Sequence, residues 1–292
     1  MKKLAFVGLL CLPGMLAWAL PISNPIDASL YTHSTWSRRT CRDICDPAFS
    51  WYDAMDVRIG FYGDYVFNRY LQVNNSTNQP GNCVDTTTIF TSAGTVTANI
   101  YNIIDVYGVF GATHLNINTN AKLFLNSAPI AGVSVVNLDF RPNFSWSAGG
   151  RWTVVNCSCF GLGMEGQYFR TNVRLNSSYD GVSITYFNND NTAIYSEWQA
   201  GVGASCRFNN CYPGLSLVPY AGVKWAGANL SLPTITYADI NSNTFTLRNL
   251  HSSKLWGYAL GVTATLNSMF GVTVEGRWAD ESAVYAESQL RF

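Results

Sequence analysis

The chain has 292 residues with 18 basic and 18 acidic side chains, so its formal charge is zero and no basic bias points to nucleic acid. Only 12% of its residues are charged, against about 25% in ordinary soluble domains, while 14% are aromatic (16 Tyr, 16 Phe, 9 Trp). Such a chain needs a place for aromatics without charges; a β-sandwich offers one, and a membrane β-barrel does so directly, because one face meets lipid.

At the start, Lys2 and Lys3 precede an apolar run from Leu4 to Trp18, and Ala17-Trp18-Ala19 is a small-x-small cleavage pattern. This predicts a secretory signal peptide over 1–19, cut after Ala19. The run is short and Pro13-Gly14 interrupts it, which argues against a membrane anchor. Losing two lysines leaves 16 basic against 18 acidic residues, a net charge of −2. Residues 20–54 form an N-terminal segment for the periplasm or the lumen, and 55–292 the barrel. No later stretch has the ~18–20 apolar residues of a spanning helix, so the exported chain is a soluble β-protein or a barrel.

From Val57 onward, apolar and polar residues alternate. Val57, Ile59, Phe61, Tyr65 and Phe67 oppose Arg58, Gly60, Tyr62 and Asp64; Phe144, Trp146, Trp152 and Val154 oppose Ser145, Ser147, Arg151 and Thr153. The same parity holds around Glu197 to Arg207, Tyr220 to Trp225 and Phe270 to Trp278. Strands are expected at 55–67, 94–102, 104–118, 143–156, 160–172, 179–188, 194–207, 215–230, 243–250, 256–266, 270–278 and 282–292. Most match the ~9–11 residues of a membrane strand better than the soluble mode of ~5–6. The fold class expected is all-β: a closed antiparallel transmembrane β-barrel with an even number of strands, 12–16. The long connections 68–93 and 119–142 fall on the outer side and the short turns 157–159 and 267–269 on the inner side, as in bacterial outer-membrane barrels.

No chemistry of a catalytic or cofactor kind is expected. His33, His114 and His251 are scattered without ligand spacing, and no hydrolase or phosphate-binding motif occurs. The expectation is therefore no enzyme, no metal and no cofactor. Charges on the lipid face at mid-depth would cost ~2–4 kcal/mol each for Arg or Lys. Parity instead turns Arg58, Asp64, Arg151, Glu165, Glu197, Arg207, Lys224, Glu275, Arg277, Glu287 and Arg291 inward as pore-lining candidates. Five acids against six bases predict weak ion selectivity.

Cys11 leaves with the leader. Cys41, Cys45, Cys83, Cys157, Cys159, Cys206 and Cys211 remain as disulfide candidates in an oxidising compartment. Seven is odd, so at least one is unpaired or pairs between chains. A Cys157–Cys159 bridge would be strained, which favours another partner for each. Zinc ligation by this pair with Cys41-x3-Cys45 is the alternative reading.

The chain ends in VYAESQLRF. Val284, Ala286, Leu290 and Phe292 share one face, and Tyr285, Glu287, Gln289 and Arg291 the other. This is a strand that closes the barrel against the first, with Phe292 at the periplasmic interface. By similarity to outer-membrane proteins generally, it is the insertion signal read by the barrel-assembly machinery.

The blocks LPISNPIDASL, CRDICDPAFSWYDAMDVRIGFYGDYVFNRYL, FSWSAGGRWTVVNCSCFGLGMEGQYF, YSEWQAGVGASCRF, VPYAGVKWAGANL and GVTVEGRWADESAVYAESQLRF together resemble the chlamydial major outer membrane protein family of porins. The resemblance implies an outer-membrane porin embedded in lipid, often trimeric, with antigenic surface loops. It also implies a disulfide-linked structural component of the cell envelope, the family cysteines mapping onto Cys41, Cys45, Cys157 and Cys159. About sixteen strands are generally ascribed to the family, and this chain is shorter than typical members, as a paralogue or relative would be. The function expected is passive diffusion of small hydrophilic solutes and ions. The alternative is a non-conducting structural or adhesin barrel whose loops contact a host.

Overall fold

The computed structural model describes residues 20–31, 55–73, 83–125, 135–157, 159–187, 191–238 and 244–292, with only the backbone for 209–212. In chain order the strands are β1 (Met55–Arg69), β2 (Leu71–Val73), β3 (Thr86–Ile100), β4 (Ile104–Asn120), β5 (Val135–Arg141), β6 (Asn143–Cys157), β7 (Phe160–Tyr179) and β8 (Ile184–Tyr186). Then follow β9 (Thr192–Cys206), β10 (Phe208–Tyr212), β11 (Leu215–Ser231), β12 (Thr236–Ala238), β13 (Thr244–Thr246), β14 (Leu250–Ser252), β15 (Trp256–Leu266), β16 (Phe270–Trp278) and β17 (Glu281–Arg291).

Ten long strands pair antiparallel in the order β1-β3-β4-β6-β7-β9-β11-β15-β16-β17. The last returns to the first, from Arg58↔Arg291 to Arg69↔Glu281. The ladder is thus a ring of hydrogen bonds, and the terminal strand does lie beside the first. Phe292 extends it: its N–H donates to the Val57 carbonyl at 3.1 Å.

The ring among the described residues runs through ten strands, not twelve to sixteen. The expected strands 179–188 and 243–250 supply only short pieces: β8 folds back on the end of β7, and β13 and β14 lie in the connection after β11. Around β13 and β14, Phe245, Leu247 and Leu250 pack into the core at the ring's end, whereas Ile184 and Tyr186 of β8 are exposed. Within 119–142, β5 prolongs β6 across Pro142 and pairs with the same neighbours, β4 and β7. Proline has no N–H for the ladder, so the strand breaks there. β3 starts at Thr86, well before the expected 94.

Two tight turns mark one end of the ring. Tyr101 and Asn102 (both φ 54°) and Asn267 and Ser268 (φ 53° and 51°) turn the β3–β4 and β15–β16 hairpins. Left-handed pairs of this kind match the twist of the flanking strands. The end of β6, the start of β7 and the start of β1 share this turn end, and the described parts of the longer connections lie at the other. The β15–β17 wall is short; beyond it β14 bridges β11 to β2.

The polarity of the wall is inverted relative to a soluble protein. Phe144, Phe61 and Val202 point outward at 60%, 59% and 58% exposure, whereas Arg58, Lys224, Glu275 and Arg277 point inward and are buried. The alternation in the sequence sets this, because successive side chains of a strand take opposite faces.

Candidate functional site: the interior of the ring

A segment of the chain occupies the interior. Leu20 to Tyr31 are all buried, running from mid-height to the turn end. The N–H groups of Ile22 and Ser23 donate to Glu275 at 3.1 and 2.8 Å. Asn24 donates to the Val218 carbonyl and Thr263, both at 3.1 Å, and Gln199 donates to the Pro21 carbonyl at 2.8 Å. Lys224 Nζ donates to the Leu20 carbonyl. At the turn end, Asn156 and Arg207 donate to Ser29 at 3.0 and 3.2 Å. Inward glycines make room: a Cβ at Gly163 would strike the Pro25 carbonyl, and one at Gly161 would strike Ile26. The sequence leaves 20–54 between periplasm and lumen; 20–31 lie inside the ring, and 32–54 fall outside the described residues.

Around this segment the inward charges form two linked groups. Toward the turn end, Asp27 joins Arg58 (3.0 Å) and Arg151 (3.1 Å). Arg58 also pairs with Asp105, which Asn99 supports at 2.7 Å. Arg151 reaches Glu165 at 3.2 Å and Ser23 at 2.9 Å, and lies over the Tyr107 ring. Tyr31 packs beneath the Arg58 guanidinium, 4.6 Å from its ring centroid. Burial, then the Asp27 charge, holds its phenol well above the usual range, so it stays neutral. At mid-height, Arg69 contacts Glu197 (3.0 Å), Asp280 (3.0 Å) and Glu281 (3.3 Å), while Arg277 pairs with Asp64.

Beyond this layer the interior turns apolar. Leu115, Ile117, Val136, Leu138, Phe140, Phe169, Val173 and Leu230 of the wall pack with Phe124 and Phe245 from the connections. An isolated bridge between Leu125 and Phe245 ties these connections together inside the ring's end.

The eleven residues expected inward are all placed inward; ten are buried and Arg207 is half-buried. The network links most of them, with Arg207 and Arg291 at its turn-end rim, where Arg291 pairs with Asp56. Sequence reading missed Asp27, Arg69, Asp105, Asp280 and Glu281. Asp105 and Glu281 had the signal, since each shares the inward parity of its strand. Arg69 did not: a bulge between Val66 and Asn68 shifts parity just before it. The near balance of charge is corrected as well. Among the described residues, nine buried acids face inward against six buried bases; Asp180, also buried, caps its own turn.

The cysteines stand apart from this network. Cys157 and Cys159 are exposed at the turn end, and Cys83 is exposed at the other. Cys206 is half-buried beside Cys159, whose carbonyl accepts the next residue's N–H, that of Arg207, at 2.6 Å. Cys41 and Cys45 and the Cys211 side chain lie outside the described residues. His114 contacts Asp139 (3.2 Å) and His251 contacts Gln72 (2.9 Å).

Residues 1–100 match the family model described as Chlamydia major outer membrane protein. A major outer membrane porin of Chlamydia pneumoniae is 28% identical, with 94% of each chain covered. The serovar E major outer membrane porin of Chlamydia trachomatis is 27% identical, covering 94% of this chain and 95% of the relative. Among solved structures, the outer membrane protease OmpT from Escherichia coli aligns with TM-score 0.36 and 11% identity over 84% of this chain and 96% of that one. The beta domain of the Bordetella autotransporter BrkA aligns with TM-score 0.39 and 10% identity over 82% of this chain and 99% of that one. The resemblance and the outer-membrane location expected from the sequence are borne out by the porin relatives.

Proposed function

We propose that the ring is a closed transmembrane barrel acting as an outer-membrane porin for small hydrophilic solutes, and that the described conformation is its closed state. The carrying observation is the inverted polarity: an outward band of large apolar side chains around an inward network of charges. Ten strands lie near the size at which side chains fill a barrel, whereas wide aqueous channels need 16–18. Passage therefore requires both Leu20–Tyr31 and the apolar side chains across the connection end to move aside. The excess of inward acids predicts a preference for cations, since charged rings set ion preference. Transport of this kind is diffusion and needs no catalytic group, metal or cofactor. A homotrimer, envelope disulfides through the exposed cysteines, and assembly guided by the terminal Phe292 belong to the same proposal.

The test is conductance of the refolded mature chain in a planar bilayer under a salt gradient. Discrete steps with a cation-selective reversal potential are expected. A folded barrel without steps would overturn the porin reading and leave a structural or adhesin barrel. The apolar core across the connection end is the observation that favours this second reading.

A further inference from the structure

We propose that the interior contains a built site for a primary ammonium, and that its occupant is the α-ammonium created on Leu20 when the leader is cut after Ala19. The inference deepens the export and porin reading and rests on it. Leu20 is buried where the charged layer meets the apolar core. Its carbonyl is held by Lys224 Nζ, so its backbone nitrogen is confined to the same neighbourhood.

That neighbourhood is acidic. Asp280 and Glu281 both lie there, each within ion-pair distance of Arg69. One Asp280 oxygen, Oδ2, accepts from Arg69 at 3.0 Å; the other, Oδ1, is fully buried and has no hydrogen-bond donor among the described residues. Oδ1 and the Lys224 stem converge over Gly257, where an added Cβ would touch both. Buried carboxylate oxygens normally find donors. The charge count points the same way, since among the described residues nine buried inward acids face six buried bases. An ammonium brings one positive charge and three donors to this spot. Docked there, it ties one end of the Leu20–Tyr31 segment at mid-height, while Asn156 and Arg207 hold Ser29 near the other.

The test labels the processed, folded protein in detergent with the N-hydroxysuccinimide ester of acetic acid and follows the N-terminal peptide by mass spectrometry. The Leu20 amine should react at least about tenfold more slowly than in the urea-unfolded chain, the equivalent of one pKa unit. Asp280→Asn should restore most of the rate, as should a Gly-Ser insertion before Leu20, which moves the amine without touching the wall. Equal rates in folded and unfolded chains would overturn the proposal, as would a protected amine indifferent to both variants. An N-terminal peptide starting elsewhere would remove the occupant. Conductance judges the porin reading separately, so the two failures are distinguishable.

Discussion

The two halves of the interior differ in chemistry although the same strands build both. On β7 the inward face reads Glu165 and Gln167 toward the turn end, then Phe169, Val173 and Leu175 toward the connections. The first pair meets Arg151 and Ser147; the second group joins the apolar core. If the Leu20–Tyr31 segment left, every group of the polar half could exchange its partner for water. The apolar half has no such exchange, because each Å² exposed costs roughly 25 cal/mol. The wall is therefore uniform, and what can open is decided by the inward residues.

The sharpest way to break this comparison is to damage each half once. Arg58→Met leaves Asp27 and Asp105 buried without their shared cation and should destabilise by ~3–5 kcal/mol. Phe140→Ala opens a cavity in the apolar half at a similar cost of about 3–5 kcal/mol. Urea unfolding in detergent, followed by gel mobility, measures both. Adding Asp105→Asn should recover part of the first loss and none of the second; equal rescue would mean that the halves are not distinct.

Turning from the interior to the outside, Phe110→Arg places a cation at mid-strand on the outward face. It should cost ~2–4 kcal/mol if that face meets lipid. A neutral or solubilising effect in the same unfolding assay would count against the membrane wall.

A smaller effect is expected at Gly163→Val, which overfills the bed of the segment at a cost of about 1–3 kcal/mol. The ring should persist while residues 20–31 become open to protease and single-channel steps grow. Unchanged protection would show that the segment is not held by shape at this point.

How much of this was legible depends on whether a residue's role is local. The outward band and ten of the strands followed from alternation, and so did all eleven inward charges. The terminal pairing of β17 with β1 followed from the expectation of a closed barrel, in which the last strand must meet the first. Glu281 escaped only because the last strand was expected to begin one residue later, at 282. Arg69 escaped for a deeper reason, because the bulge before it breaks the period that reveals facing. Asp27 lies on no strand; its role exists only because Arg58, Arg151 and Gln289 converge on it.

By itself the sequence determined which face of each strand meets the outside and where the chain turns, since these depend on neighbours one or two positions away. Only the tertiary structure decided that ten strands close the ladder, that one half of the interior is apolar, and that Leu20–Tyr31 fills the other. Those outcomes depend on pairs such as Ile22 with Glu275 and Arg69 with Asp280, which lie hundreds of residues apart along the chain. No local period encodes them; they arise when a closed wall leaves a space of fixed width that particular side chains and one segment fit.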